Sequence, residues 1–278
     1  MLLVSTFLAF NNENLLELYN GLNGTNYTNV DDLRVNTLEN AVYINMKNDV
    51  SYVFRDEMNL YEHQSTINPN MPLRNLFYVA SLLEAEIDRL EDDKFIYGSN
   101  IVKIPTPRFV VFYNGKKNTE ERFEYKLSDA YISKTDNPEL ELKVTVLNIN
   151  IGKNKKLLEQ CKTLYEYSVF VDRVRKNLES QNIDEAVENA VNYCIDNNIL
   201  AEFLKKNRAE VISMAIFECS MEEVLEQVGK DKLEEGAFNF AAELYKDNTI
   251  TLEIAIEKLG ITEEEFLKKY KEYLKEQD

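Results

Sequence analysis

Between Asn48 and Thr66 the chain gathers its densest set of side chains able to do chemistry: Asp49, Glu62, His63 and Gln64. They sit in two runs, Val50 to Phe54 and Asn59 to Ser65, rich in residues that favour strands and separated by the polar pair Asp56-Glu57. Such a pattern predicts a β-hairpin. Asp56-Glu57 lacks the glycine or asparagine that a two-residue turn prefers at positive φ, so a four-residue loop centred there is the expected connection. That loop sets Asp49 opposite Gln64 and Ser51 opposite Glu62. Side chains alternate along a strand, which puts Asp49, Glu62 and Gln64 on one face, with Glu62 diagonal to Asp49 at roughly 7 Å. An odd-length loop would turn Asp49 toward His63 and Ser65 instead.

Two carboxylates and an amide on one strand face suit Mg²⁺, or another divalent cation such as Mn²⁺ or Ca²⁺. Mg²⁺ takes oxygen ligands, keeps several waters, and is commonly held by one or two carboxylates plus a substrate phosphate. Held there, it would acidify a water and offset the charge that develops as a phosphodiester is cleaved. The alternative is an ordinary hairpin with a solvated polar face. His63 is the only imidazole in the chain. Strand alternation aims it at the layer opposite Glu62 and Gln64, where a structural hydrogen bond is its expected role.

Those strands need a scaffold, and the rest of the sequence supplies one. With 278 residues, the chain has room for about two domains and a sizeable core. Lys and Arg number 32 against 49 Asp and Glu, a net charge of −17. Overall charge therefore cannot draw the chain to nucleic acid, and any contact with phosphate must be made by a local basic surface. The cysteines, Cys161, Cys194 and Cys219, are odd in number and far apart. This excludes a disulfide framework and a Cys-based zinc site and points to the reducing cytoplasm. No stretch reaches the roughly 18 apolar residues of a membrane span, and the apolar start, Met1 to Phe10, lacks the basic flank of a signal peptide.

The first half alternates strand and helix patterns. Glu13 to Leu22 reads as a short amphipathic helix, and Ala41 to Met46 as a strand. Pro72 opens a helix whose period of apolar residues runs to about Leu90. Phe109 to Tyr113 and Val144 to Asn150 read as buried central strands, closed by Asn114-Gly115 and Gly152. The expected class is α/β over residues 1–152. Residues 153–228 read as a helical region on that core, with helices at 154–179, 184–196, 198–206 and 208–228. Residues 229–278 read as a helical tail, in which Thr262 and Glu265 form a capping box. Glu263-Glu264-Glu265 in the first turn of its last helix would repel phosphate, so the tail is read as packing or subunit contact rather than a DNA reader.

The block Leu60-Tyr61-Glu62-His63-Gln64-Ser65-Thr66, continuing through Asn68-Pro69-Asn70-Met71-Pro72-Leu73-Arg74, resembles the E-H-Q-S segment of the recombination-promoting nuclease/transposase family, also called YhgA-like, of the PD-(D/E)XK nuclease superfamily. The likeness extends through Thr37-Leu38-Glu39-Asn40, Met46-Lys47-Asn48-Asp49, Ile104 to Gly115 and Leu147 to Asn150, and covers roughly residues 13–220. It implies a restriction-endonuclease-like core with a mixed sheet flanked by helices, and a Mg²⁺-dependent DNA endonuclease activity linked to recombination or mobile elements. By this resemblance Asp49 and Glu62 are the metal-binding acids. Gln64 stands where the superfamily usually has lysine, and Glu39 is an auxiliary acid. The weaker DNA-contact candidates are Arg74, Lys103, Arg108, Lys116 and Lys117. Relatives begin with a longer charged helix than Met1 to Phe10, which leaves a second reading open: a family member that binds DNA or protein without cutting.

Overall fold

A computed structural model of the chain describes residues 11–36, 49–89, 96–247, 251–259 and 261–276. The predicted strand Ala41 to Met46 and the candidate acid Glu39 lie outside these residues.

Six strands form one mixed sheet: β1 (Leu33–Val35), β2 (Val50–Phe54), β3 (Glu57–Gln64), β4 (Thr106–Tyr113), β5 (Arg122–Lys126) and β6 (Lys143–Asn148). Their order across the sheet is β1-β2-β3-β4-β6-β5. The central trio β3, β4 and β6 is parallel, and the flanking pairings are antiparallel. Helix α1 (Asn12–Asn23) precedes the sheet, and α2 (Met71–Asp88) crosses between β3 and β4. After β6 come α3 (Lys155–Gln160), α4 (Lys162–Leu178), α5 (Ile183–Asp196), α6 (Ala201–Lys206), α7 (Arg208–Lys246), α8 (Leu252–Leu259) and α9 (Glu263–Glu276). The chain is thus α/β with a helical C-terminal part. None of its described helices is long and apolar enough to cross a membrane.

Each face of the sheet carries apolar side chains that pack for a reason visible in the strands. Met58, Leu60, Val111, Val144 and Val146 point to one side and pack with Met71, Tyr78, Val79 and Leu82 of α2. Pro72 sits in the first turn of that helix, where its missing N–H costs nothing. On the other side Tyr19 of α1 packs at a tilt against Phe54, and Tyr61 packs edge-on against Tyr52 and Phe112. Burying side chains of this size contributes about 1.5–3 kcal/mol each. That is the term which fixes the sheet's register against the helices.

The β2–β3 connection differs from the predicted four-residue loop. Phe54 pairs with Glu57, leaving Arg55 and Asp56 as a two-residue turn, with Arg55 at φ 53°. A non-glycine residue costs roughly 1 kcal/mol there, and the guanidinium recovers part of it by stacking 4.2 Å over Tyr27. Four further elements depart from the expectation. The helix expected over 154–179 is two, broken at Cys161, where Glu17 of α1 accepts the N–H groups of Lys162 and Thr163 and so caps α4. The helix expected to stop at 228 continues through Gly229 and Gly236 to Lys246. Strands β1 and β5 extend the sheet beyond the predicted strands.

By compactness the chain divides into residues 1–218 and 219–278. In the second unit Phe238, Ala242, Ala255 and Phe266 form a small core with Tyr245 and Tyr270 around it. The capping box at the head of α9 is reciprocal. Glu265 N–H donates to Thr262 Oγ1 at 3.3 Å, and Thr262 N–H donates to Glu265 Oε2 at 3.4 Å.

Just past β4, Gly115 is required by proximity. A Cβ there would overlap the carbonyl oxygen of Ser65 and crowd the Tyr113 ring. Gly115→Ala is expected to cost about 1–3 kcal/mol, as overpacked cores do, and a lowered urea midpoint at unchanged slope would show it.

Candidate active site

The turn at Arg55-Asp56 shifts the hairpin by two residues from the predicted pairing, so Ser51 faces Leu60 and Val50 faces Tyr61. A two-residue shift leaves every side chain on its face but changes its neighbour. One residue beyond β2, Asp49 meets Glu62 directly rather than diagonally. Its N–H donates to Glu62 Oε1 at 3.3 Å, and its own Oδ2 accepts the His63 N–H at 2.8 Å. The Glu62 side chain is 1 % exposed and Asp49 is half-buried beside it.

Helix α2 supplies what touches them. Arg74, one turn into the helix, places Nη2 3.3 Å from Glu62 Oε2. Its guanidinium also donates to the Tyr78 hydroxyl at 2.9 and 3.3 Å, one turn further on. Gln64 shares the face with Glu62 and points its amide Nε2 at Met71 Sδ, 2.6 Å away. The same sulfur lies 3.4 Å from Arg74 Nη1. Asp49, Glu62, Gln64, Met71, Arg74 and Tyr78 thus form one contiguous group beneath the first turns of α2.

Burial pushes both carboxyl groups well above the ordinary carboxylate range. Asp49 is opposed in this by the His63 N–H it accepts. Glu62 is raised further by the charge of Asp49, against the pull of Arg74. Burial therefore disfavours the second negative charge of the pair, and a cation held by both carboxylates would favour it. Among the described residues no cluster of three or more His, Cys, Asp or Glu side chains suits a metal. The donor set is two hard oxygen ligands, which fits an ion of the Mg²⁺ kind that draws the rest of its shell from water and phosphate. It does not fit zinc, which takes three or four protein ligands.

His63 points to the opposite face. Its Nε2 lies 3.3 Å from the Tyr167 hydroxyl of α4, the rings edge-on at 5.6 Å, and Asn114 Nδ2 donates to the same hydroxyl at 3.1 Å. Burial pulls the imidazole down to about 4, so it is neutral at pH 7 and cannot reach the acid pair. The sign of its linkage is fixed by that shift. His63 contributes stability that is full above its ordinary value of about 6.5 and is lost as pH falls through 4. His63→Phe, which removes one of the hydrogen bonds of the Tyr167 hydroxyl, is expected to cost about 1 kcal/mol at pH 7.5. In urea unfolding that cost should shrink steadily between pH 6.5 and 4.

The other basic candidates are not brought to the acid pair. Arg108 pairs with Asn59 across β3, three residues down the register from Glu62 and on the opposite face. There it holds Glu57 Oε1 at 2.8 and 3.0 Å. Lys103 is exposed ahead of β4, and Lys116 and Lys117 are exposed beyond its end. Met71 and Tyr78 join the site although the strand pattern does not single them out. The available signal is their spacing of three and four residues from Arg74 on one helix face.

No protein-family model, no curated protein and no solved structure matches the chain.

Proposed function

We propose that this protein is a metal-dependent DNA endonuclease, a hydrolase of phosphodiester bonds serving recombination or a mobile element. The observation that carries the reading is the meeting of Asp49 with the buried Glu62 at the open end of the β2–β3 hairpin, under Arg74 of α2. The E-H-Q-S block, in which both Glu62 and Gln64 stand, supports it, and so does a mixed sheet whose antiparallel hairpin leads through α2 into parallel β4. That arrangement is compatible with a PD-(D/E)XK core.

In this reading Asp49 and Glu62 hold Mg²⁺, or Mn²⁺ or Ca²⁺ in its place. The bound ion supplies an acidified water and charge neutralisation at the scissile phosphate. Arg74, freed from full duty on Glu62, contacts a phosphate oxygen by its guanidinium. Gln64, with its amide N–H turned to Met71, offers its carbonyl oxygen to orient a water. A lysine there would add charge, but glutamine positions by hydrogen bonds alone. The helical C-terminal part serves assembly, including self-association.

Supercoiled plasmid incubated with the protein and Mg²⁺ should be nicked or linearised, and EDTA should abolish this. A second reading rests on the Arg74–Glu62 contact at 3.3 Å. If that ion pair is permanent, Arg74 takes the cation's place and the protein binds DNA or protein without cutting it. Intact plasmid after prolonged incubation in Mg²⁺ and in Mn²⁺ would decide for this alternative.

A further inference from the structure

The sheet face opposite α2 is covered by helices only in part. Phe112 and Leu147 are buried on it, but nearer the start of β4 and β6 and along β5 it is open. Phe123, Tyr125, Val144 and Val146 turn toward α2, so their neighbours Arg122, Lys126 and Lys143 take the other face, and all three are exposed. Lys143 lies directly opposite Lys126 in the antiparallel β5–β6 ladder. The β4–β6 ladder begins at Val110 and Thr145, and Arg108 and Lys143 each stand two residues before it, on this same face. At a strand spacing of about 4.8 Å, Arg108, Lys143 and Lys126 make a row of basic side chains roughly 10 Å long. The acids on this face are Glu124 and Glu57; Glu57 and Arg108 neutralise each other, which leaves Lys126, Lys143 and Arg122 as the unpaired cations of the face among the described residues. No salt bridge to Arg122, Lys126 or Lys143 is formed among the described residues. In a chain of net charge −17 this is a local reversal of sign.

Like charges directly opposite on neighbouring strands repel. An anion laid across the row turns that repulsion into attraction. We infer that the open face of β4, β6 and β5, with Arg108, Lys126, Lys143 and Arg122, binds the phosphate backbone of DNA. The identity of the polyanion rests on the endonuclease reading; the cation row itself does not. The face lies on the side of the sheet away from Asp49 and Glu62, so it is a second contact, one that holds the duplex without presenting it to the acid pair. It also answers the charge problem, because an acidic chain approaches a polyanion only where its own field is locally inverted.

The test is binding of a 20-base-pair duplex in EDTA, where no cleavage occurs, measured by fluorescence anisotropy from 50 to 200 mM salt. Lys126→Ser/Lys143→Ser is compared with Lys155→Ser/Lys156→Ser, a control of equal charge change on exposed positions of α3. Each phosphate that the protein no longer neutralises should lower the salt slope by about 0.9, so the first variant should show a slope smaller by nearly 2 and an affinity about tenfold weaker at low salt. Removing a repelling pair should leave its melting temperature unchanged or higher, which separates impaired binding from impaired folding. A slope equal to the parent's, or an equal fall in the control, overturns the inference. A parent that ignores the duplex but binds poly-glutamate also overturns it, in favour of an acidic protein partner. Plasmid cleavage is scored in parallel. Cleavage without dependence on these lysines sinks the surface and spares the nuclease, whereas lysine-dependent binding without cleavage does the reverse.

Discussion

Glu62→Gln is expected to lower Mg²⁺-dependent plasmid cleavage more than about 100-fold, beyond what changes around a metal's outer shell cost, and at the same time to make the metal-free protein more stable at pH 8. The two effects have one cause. Glu62 is buried beside Asp49, and burial together with that neighbouring charge raises its carboxyl well above the ordinary range. A raised acid contributes stability that is full below its unfolded value of about 4.3 and is lost as pH rises through its folded value. At pH 5 the parent's Glu62 is neutral and nearly isosteric with glutamine, so the two proteins should melt together. At pH 8 only the parent carries the buried charge, and the variant should melt higher by about 5 °C, at roughly 2–4 °C per kcal/mol for a unit of this size.

Adding Mg²⁺ should invert that order. A ligand held by the folded state at a hundred times its dissociation constant stabilises by about 2.7 kcal/mol, and the parent alone keeps both carboxylates to hold it. Thermal melts at pH 5 and pH 8, each with EDTA and with Mg²⁺, make the check. Parallel curves for parent and variant in all four conditions would mean that Glu62 is neither strained by its charge nor a metal ligand.

The face on which these residues gather was legible in the sequence, but their contacts were not. Alternation alone put Asp49, Glu62 and Gln64 on one side and His63 on the other, and that parity survives any loop of even length. The pairing did not, because it depends on Arg55 adopting positive φ, and what makes that tolerable is Tyr27, in the segment after α1. No local rule contains that contact. The break at Cys161 has the same character: neither proline nor glycine marks it, and the carboxylate that caps the new helix is Glu17, far away in the chain. Gly229 and Gly236 misled in the opposite direction, since a glycine costs a helix only about 1 kcal/mol and packing overrides it. Strand β5 was in fact readable. Arg122-Phe123-Glu124-Tyr125-Lys126 alternates charge and aromatic ring residue by residue, the pattern of a half-buried strand. The role of Arg74 could only come from the fold, which lays the first turns of α2 over the end of β3.

Arg74→Met is the substitution that separates a displaceable counter-ion from a permanent one. In EDTA at pH 8 it should lower stability by about 2 kcal/mol. Removing one partner of a buried pair costs about 3–5 kcal/mol, but here the Arg74 side chain is 20 % exposed and Glu62 can take up a proton instead. At pH 5, with Glu62 already neutral, little of that loss should remain. The melting shift produced by Mg²⁺ is then the deciding quantity. If the ion competes with the guanidinium for Glu62, the variant should gain more from Mg²⁺ than the parent does. Its cleavage rate should still fall about 100-fold, as when a donor to the reacting phosphate is removed. If Arg74 instead belongs permanently to Glu62, neither protein should respond to Mg²⁺, and the acid pair is then a charge network that the hairpin carries for structure. Tyr78 sharpens the distinction. Its hydroxyl accepts two hydrogen bonds from the same guanidinium and keeps Arg74 over the pair whether or not Glu62 holds it. Tyr78→Phe should therefore weaken cleavage without creating the pH-dependent loss of stability that Arg74→Met brings.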